Sequence, residues 1–448
     1  MRSNDNKPCN YNVLVPGNSI MSYLNVFKSY SAHERLTRST FILSFFLLLL
    51  ILPLGFASEK SGRIAFYFCS YLSALGILIN VRSCREMFFS SKAVIPFLLL
   101  AAMYSVWSLI AAHYAIHGMD NGLLFTPAKR WLLAAFISMY ILWGIRRDFI
   151  SKKLLFKLTW LSLSFAFLLA SVEGLWQHLH HIDRITLGIN RATMTAYAYS
   201  AMALALMILL NQIRSVVIRH IAIILTCLIS VYIIFLTETR SAMFIHILLS
   251  IVLIINNLWR SKSFRIFPVA AITLAFIAVA ILGKNIIESR YEATRQEISR
   301  FNNGDDHTSL GSRFTMWKSG MVAIAENPLG ETQITRNKII HDWLISSHNS
   351  DSFALDYIDV HLHNEFIQYA SLFGIFGAII LLFFFVRLLF DNGLAGFLNN
   401  PVSIITLSAL LYGMTDVLLT SIEYVVVFST LILLVNANLW HHTSADKR

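Results

Sequence analysis

Residues 41–57 read FILSFFLLLLILPLGFA, without one charged side chain. A helix rises 1.5 Å per residue, so about 20 such residues cross the ~30 Å hydrocarbon layer of a bilayer. Comparable runs recur near 64–80, 93–112, 131–145, 154–176, 192–211, 217–236, 241–258, 264–282, 365–390, 402–420 and 423–440, making twelve expected spans. Of 448 residues, 56% are hydrophobic and 14% charged, more apolar surface than a soluble chain of this size hides. The expected fold class is an all-α polytopic membrane protein.

The net charge of +11 follows membrane topology rather than a nucleic-acid footprint, and no nucleic-acid partner is expected. Basic residues gather in alternate connections: Arg35 and Arg38 before the first span, Arg82, Arg85 and Lys92, then Arg146, Arg147, Lys152 and Lys153, then Arg214 and Arg219, then Arg260, Lys262 and Arg265. By the positive-inside rule these lie on the cytoplasmic side. The expected organisation is a cytoplasmic segment 1–40, spans one to nine within 41–282, an outer loop 283–364, spans ten to twelve within 365–440, and a cytoplasmic tail 441–448. The first helix is expected to act as an uncleaved signal anchor. The four cysteines form no Cys-x-x-Cys pair, and no disulfide framework is expected.

The segment Lys284–Asn364 is the long hydrophilic stretch of the chain, with eight Lys/Arg against eleven Asp/Glu. An apolar stripe of Ile287, Tyr291 and Ile298 predicts a helix over 286–301, broken at Asn302-Asn303-Gly304. A second helix is expected from Ser312 to Ala325, stopping near Asn327-Pro328. Against this acidic background, Arg290, Arg295, Arg300 and Arg313 form a local cationic group. Arg295 and Arg300 read as partners of nearby glutamates on a solvated helix. Arg313, expected near a helix N-terminus, reads instead as part of an anion site.

Four other constellations carry candidate chemistry. Thr237-Glu238-Thr239-Arg240-Ser241 sets polar groups between two apolar runs; Arg240 is either an interfacial anchor or a ligand contact. Val360-His361-Leu362-His363-Asn364-Glu365 closes the outer loop as the chain re-enters the membrane. A histidine there suits general-base work, with Asn364 or Glu365 setting its tautomer. His361-x-His363 lacks an evident third ligand at metal spacing, and no metal or other cofactor is expected. Arg184 and Arg191 flank the connection that holds His178, His180 and His181, and either arginine can reach an anion. Asp416 reads as an intramembrane carboxylate, either functional or paired with a buried Arg or His.

The ordered set Thr237-x-Thr239-Arg240-Ser241, Leu310-Gly311-Ser312-Arg313, Val360-His361-Leu362-His363-Asn364-Glu365 with Gly374-x-x-Gly377, and Gly413-x-x-Asp416 resembles the O-antigen ligases of lipopolysaccharide assembly. The run Asp183–Gly188 shares the resemblance. It implies a metal-independent GT-C-type glycosyltransferase of the bacterial inner membrane, working on the periplasmic face. The implied donor is O-polysaccharide on undecaprenyl diphosphate, and the implied acceptor is lipid A–core. It further implies that Arg240 and Arg313 hold the diphosphate and His363 is the base, with Arg191, Arg290, His361, Glu365 and Asp416 as further substrate contacts. An inverting single displacement is expected. Two alternatives stand. O-antigen polymerase shares the donor, and some members carry an Arg-x₁₀-Gly pattern that Arg300 to Gly311 matches. A lipid-linked oligosaccharide flippase tends to show paired internal repeats and broken helices, and the sequence displays no half-to-half similarity.

Overall fold

The computed structural model describes residues 31–114, 121–260, 277, 281, 284–347, 349–394 and 396–443; for 114, 121–124 and 438–443 it describes the backbone alone. The chain is all-α. Among the described residues, nine helices are long and apolar enough to cross a membrane. Eight lie before the hydrophilic segment: α1 (Ala32–Ala57), α2 (Glu59–Ile79), α3 (Val94–Tyr114), α4 (Asn121–Arg146), α5 (Lys152–Leu179), α6 (Ala192–Leu210), α7 (Val216–Leu236) and α8 (Arg240–Arg260). Three helices fill the hydrophilic segment: α9 (Lys284–Asn302), α10 (Ser309–Glu326) and α11 (Gln333–Ser346). The ninth long helix, α12 (Glu365–Leu389), returns into the bundle and is followed by α13 (Pro401–Gly413) and α14 (Ile422–Thr443). The expected span 264–282 lies almost wholly outside the described residues, as do residues 1–30 and 444–448.

α6 is the axis of the bundle. Every residue from Met194 to Leu210 is buried, and α5, α7, α8, α13 and α14 all pack on it. Its sequence explains this: Ala196, Ala198, Ser200, Ala201, Ala203 and Ala205 let neighbouring backbones approach closely, which is how helices associate in lipid. The outer helices instead show large apolar residues to the bilayer, such as Phe68, Leu109, Phe165 and Phe244.

The expected span 402–420 is shorter in the structure. α13 stops at Gly413 and α14 starts at Ile422. Hydropathy runs on through Val417-Leu418-Leu419, but the Leu418 and Leu419 amides donate to Glu365 Oε2 at 2.6 and 3.2 Å rather than to a helical carbonyl.

The hydrophilic segment has its own small core of Met316, Ala323, Ile340, Leu344, Ala354, Ile358 and Leu362. Two buried charges fasten it. Asp306 accepts from Thr315 Oγ1 at 2.8 Å and from the Phe353 amide at 3.1 Å. Arg336, fully buried, donates to Gln368 Oε1 at 3.1 Å and to the Ile358 carbonyl at 2.7 Å. Burial pulls the Arg336 pKa down to about 10, against the attraction of Glu331 and Asp359, so it stays charged at neutral pH. The segment is hinged to the bundle at Gly374, where α12 breaks at φ 61 and ψ −158. Residues 328–331 dock into the break: the Glu331 amide donates to the Leu372 carbonyl at 3.0 Å, and the Ile375 amide to the Pro328 carbonyl at 2.9 Å.

Candidate functional site

The start of α12 and the 414–421 connection are clamped together by two side chains. Asn364 caps α12, its Oδ1 accepting from the Phe366 and Ile367 amides at 3.0 and 3.1 Å, while its Nδ2 donates to the Met414 carbonyl at 2.9 Å. Glu365, fully buried, holds the Leu418 and Leu419 amides as described above. Its place is thus structural: it anchors the connection rather than facing a ligand. The clamp brings Asp416 beside His363, and His363 Nδ1 donates to Asp416 Oδ1 at 3.2 Å. His363 takes φ 48, and its carbonyl accepts from Trp317 Nε1 of α10 at 3.1 Å. The ring is therefore held by the 414–421 connection and the backbone by α10. With Nδ1–H committed to a carboxylate, the Nε2 lone pair is available for a proton.

Burial works to raise the Asp416 pKa, but the His363 hydrogen bond and the nearby charges of His361, His363 and Arg313 outweigh it, and the carboxyl is held below its usual value. Asp416 is 3% exposed, so its negative charge is stable only because of these partners. The His361 ring lies 4.2 Å from that of His363, centroid to centroid. Burial, reinforced by His363, Arg313 and Arg191, drops the His361 pKa to about 4. His361 is thus neutral at neutral pH, and its Nδ1 finds no partner among the described residues.

The expected lack of a third metal ligand does not hold. Asp416 joins His361 and His363, with donor atoms all within 4.8 Å of one another. Among the described residues, these three side chains could ligate a cation. The charges of Arg313 and Arg191 act on the same spot, oppose a cation there and favour an anion.

The arginines divide into two groups. Arg313, on α10, and Arg191, preceding α6, form no ion pair or side-chain hydrogen bond among the described residues, yet both influence His361. α10 starts at Ser309, with Thr308 as its cap, so Arg313 stands one turn inside the helix rather than at the terminus expected from sequence. Arg240 and Arg290 are engaged instead. Arg240 makes a bidentate pair with Glu297, at 3.0 and 2.6 Å, and Arg290 pairs with Glu238. Glu297 also accepts the Leu310 amide at 3.1 Å, which ties the 237–241 turn to α9 and the start of α10. Arg184 joins this group, its Nε donating to the Thr237 carbonyl at 3.1 Å. Burial lowers its pKa, and the repulsion of Arg290 and Arg240 adds to that.

Other candidates fall away from the site. Arg295 pairs with Glu292 at 3.2 Å and Arg300 with Asp305 at 2.6 Å, each on a solvated face. His180 packs against Trp176 in a tilted arrangement, with centroids 4.3 Å apart. Sequence reasoning missed Tyr357, whose ring packs edge-on at 6.3 Å from that of His363, and Trp317; neither carries a local sequence signal.

The arrangement is a histidine oriented by a buried carboxylate, beside two arginines without ion pairs among the described residues and near three more that are engaged with Glu297, Glu238 and the Thr237 carbonyl. Residues 225–382 match the family model described as O-antigen ligase; that stretch holds Arg240, Arg290, Arg313, His361, His363 and Glu365, and leaves Arg191 and Asp416 outside. The chain is 26% identical over 282 residues to the O-antigen ligase of Escherichia coli K12, covering 61% of this chain and 65% of that protein. It is also 26% identical over 307 residues to an uncharacterized protein of Haemophilus influenzae, covering 66% of this chain and 70% of that one. In sequence over residues 225–382 and in helical membrane architecture, the chain is similar to the O-antigen ligases.

Proposed function

We propose that this protein transfers O-polysaccharide from undecaprenyl diphosphate to a sugar hydroxyl of lipid A–core, on the periplasmic face of the bacterial inner membrane. The observation that carries the reading is the His363–Asp416 pair, 3.2 Å apart, with Arg191 and Arg313 beside it and free of ion pairs among the described residues. The acceptor oxygen attacks C1 of the donor sugar as its proton passes to His363 Nε2. The C1–O bond to the diphosphate breaks, and its electron pair leaves with the phosphate. A single displacement inverts the anomeric centre.

A sugar hydroxyl is a weak nucleophile at neutral pH, and a positioned base contributes about 10²–10⁴-fold. The leaving diphosphate gains negative charge, which Arg313 and Arg191 are placed to stabilise, each charge-assisted contact contributing about 1.5–3 kcal/mol. Arg240 and Arg290 reach the diphosphate only by exchanging Glu297 and Glu238 for it, so they act as a second set of contacts.

The basic connections between spans favour an outward-facing site. The polymerase reading loses support because Arg300, the first residue of its Arg-x₁₀-Gly pattern, is spent on Asp305. A gel of lipopolysaccharide tests the proposal. Cells lacking the protein, or carrying His363→Ala, should show bare lipid A–core and accumulate long chains on undecaprenyl diphosphate. Core capped by a single repeat indicates a polymerase, and a lipid-linked donor moved without a new glycosidic bond indicates a flippase.

A further inference from the structure

A second cationic group lies beside the 414–421 connection. Its centre is Arg130 of α4, which is 2% exposed. The next residue, Trp131, donates Nε1 to the Leu419 carbonyl at 3.0 Å, so Arg130 sits at the level of the connection that carries Asp416. Among the described residues, Arg130 Nε and Nη1 have no hydrogen-bond partner and Arg130 forms no ion pair. A guanidinium cannot shed its charge. A buried, permanently charged group with open donors is costly for a fold to carry, and in a membrane protein it marks function by default.

Its surroundings do not neutralise it. Arg130 hydrogen-bonds Tyr67 and feels the attraction of Glu423 and the repulsion of Arg63. Glu423 already accepts from Ser421 Oγ at 2.6 Å, and Arg63 takes Glu59 at 3.0 Å. Lys129, exposed, stands 5.1 Å over the Tyr67 ring. Lys129 and Arg130 thus meet on one tyrosine with Arg63 near Arg130, and both nearby carboxylates are engaged. The same face of α2 shows Ile64, Phe68 and Tyr71 outward, at 45%, 60% and 52% exposure. An occupant therefore approaches along an apolar wall, from the bilayer.

We propose that Arg63, Lys129 and Arg130 bind a phosphate group on the headgroup of the acceptor glycolipid. Lys129 and Arg63 meet the phosphate at the mouth, and Tyr67 yields to present Arg130. The inference rests on the transferase reading, in which two anionic amphiphiles meet at one base. It gives each its own anchor: the donor diphosphate on the Arg191 and Arg313 side, the acceptor phosphate on the α2 and α4 side.

Binding to the full-length protein in zwitterionic nanodiscs tests this. The probes are bisphosphorylated lipid A, enzymatically dephosphorylated lipid A, undecaprenyl diphosphate and inorganic phosphate. Wild type should prefer phosphorylated over dephosphorylated lipid A by about tenfold or more. Arg130→Met and the surface variant Lys129→Gln should both lose that preference and keep their affinity for undecaprenyl diphosphate. Without lipid, Arg130→Met should melt higher than wild type, since an uncompensated buried charge has gone. His363→Ala should keep the preference, which separates failure of this inference from failure of the transferase reading. The proposal is overturned if both variants retain the preference, if Arg130→Met melts lower, or if inorganic phosphate competes as well as the lipid.

Discussion

Asp416 and His363 are 53 positions apart in the chain, yet their side chains meet at 3.2 Å because Asn364 and Glu365 pin the 414–421 connection to the start of α12. The carboxylate fixes which imidazole nitrogen carries the proton. Asp416→Asn removes that control and the charge that stabilises a protonated His363. Turnover is expected to fall about 10²–10⁴-fold, with donor KM little changed. Steady-state kinetics in proteoliposomes checks this; an unchanged kcat would remove Asp416 from the mechanism.

Arg313 has no ion pair to lose among the described residues, so Arg313→Gln is expected to leave the melting temperature near that of wild type. It should cost about 1.5–3 kcal/mol of donor interaction, or about 10- to 150-fold in kcat/KM. A large drop in stability with no kinetic effect would show a structural arginine instead.

Arg240 is expected to respond in the opposite sense when its partner is neutralised. In Glu297→Gln the Leu310 amide keeps an acceptor, but the bidentate carboxylate contact to Arg240 is gone. Affinity for undecaprenyl diphosphate, measured at fixed salt on purified protein, should rise several-fold. Weaker binding would mean that Glu297 itself contacts the donor.

Glu331 supplies a pH signature. Burial is the main cause that pushes its pKa up to about 7; Glu326 adds to it, and Asn327 and Arg336 oppose it. The folded state therefore binds this proton more tightly than the unfolded chain does. Its stabilising contribution is complete below about 4.5 and is lost as pH rises through about 7. Thermal melts across that window should show stability falling toward alkaline pH, and Glu331→Gln should flatten the fall. Identical slopes for the two proteins would refute the assignment.

Gly374 carries the hinge. A Cβ there would meet the Leu329 carbonyl carbon at 2.2 Å and the Gly330 nitrogen at 2.5 Å, on a backbone with φ 61. Both contacts are backbone, so neither can swing away. Gly374→Ala is expected to cost at least about 1–3 kcal/mol from the dihedral alone, and more from the clash. Loss of folded protein in detergent, read by size-exclusion chromatography, checks this; a normal yield and melting temperature would contradict it.

The membrane fold was legible because lipid demands long uncharged helices, and such runs are written directly in the sequence. Ends were harder to read. The 402–420 run is apolar almost throughout, yet α13 stops at Gly413 because a distant carboxylate, Glu365, takes the amides of Leu418 and Leu419. His363, Arg313 and Asp416 stood out singly, as a histidine at a membrane boundary, an arginine at a helix start and a carboxylate among apolar residues. That His363 and Asp416 are partners was not legible, since tertiary packing alone brings them together. Spacing alone could not separate Arg313, free of ion pairs among the described residues, from Arg240 and Arg290, whose partners lie far off in sequence. The buried staples Asp306 and Arg336 were hidden for the same reason, in a segment that reads as solvated.

The most direct test of the central claim is the rate of sugar transfer by purified His363→Gln protein in liposomes holding a defined undecaprenyl-diphosphate donor and lipid A–core acceptor. If His363 takes the acceptor proton, the rate falls about 10²–10⁴-fold while donor binding is retained. Transfer at the wild-type rate would contradict the account and remove His363 as the base.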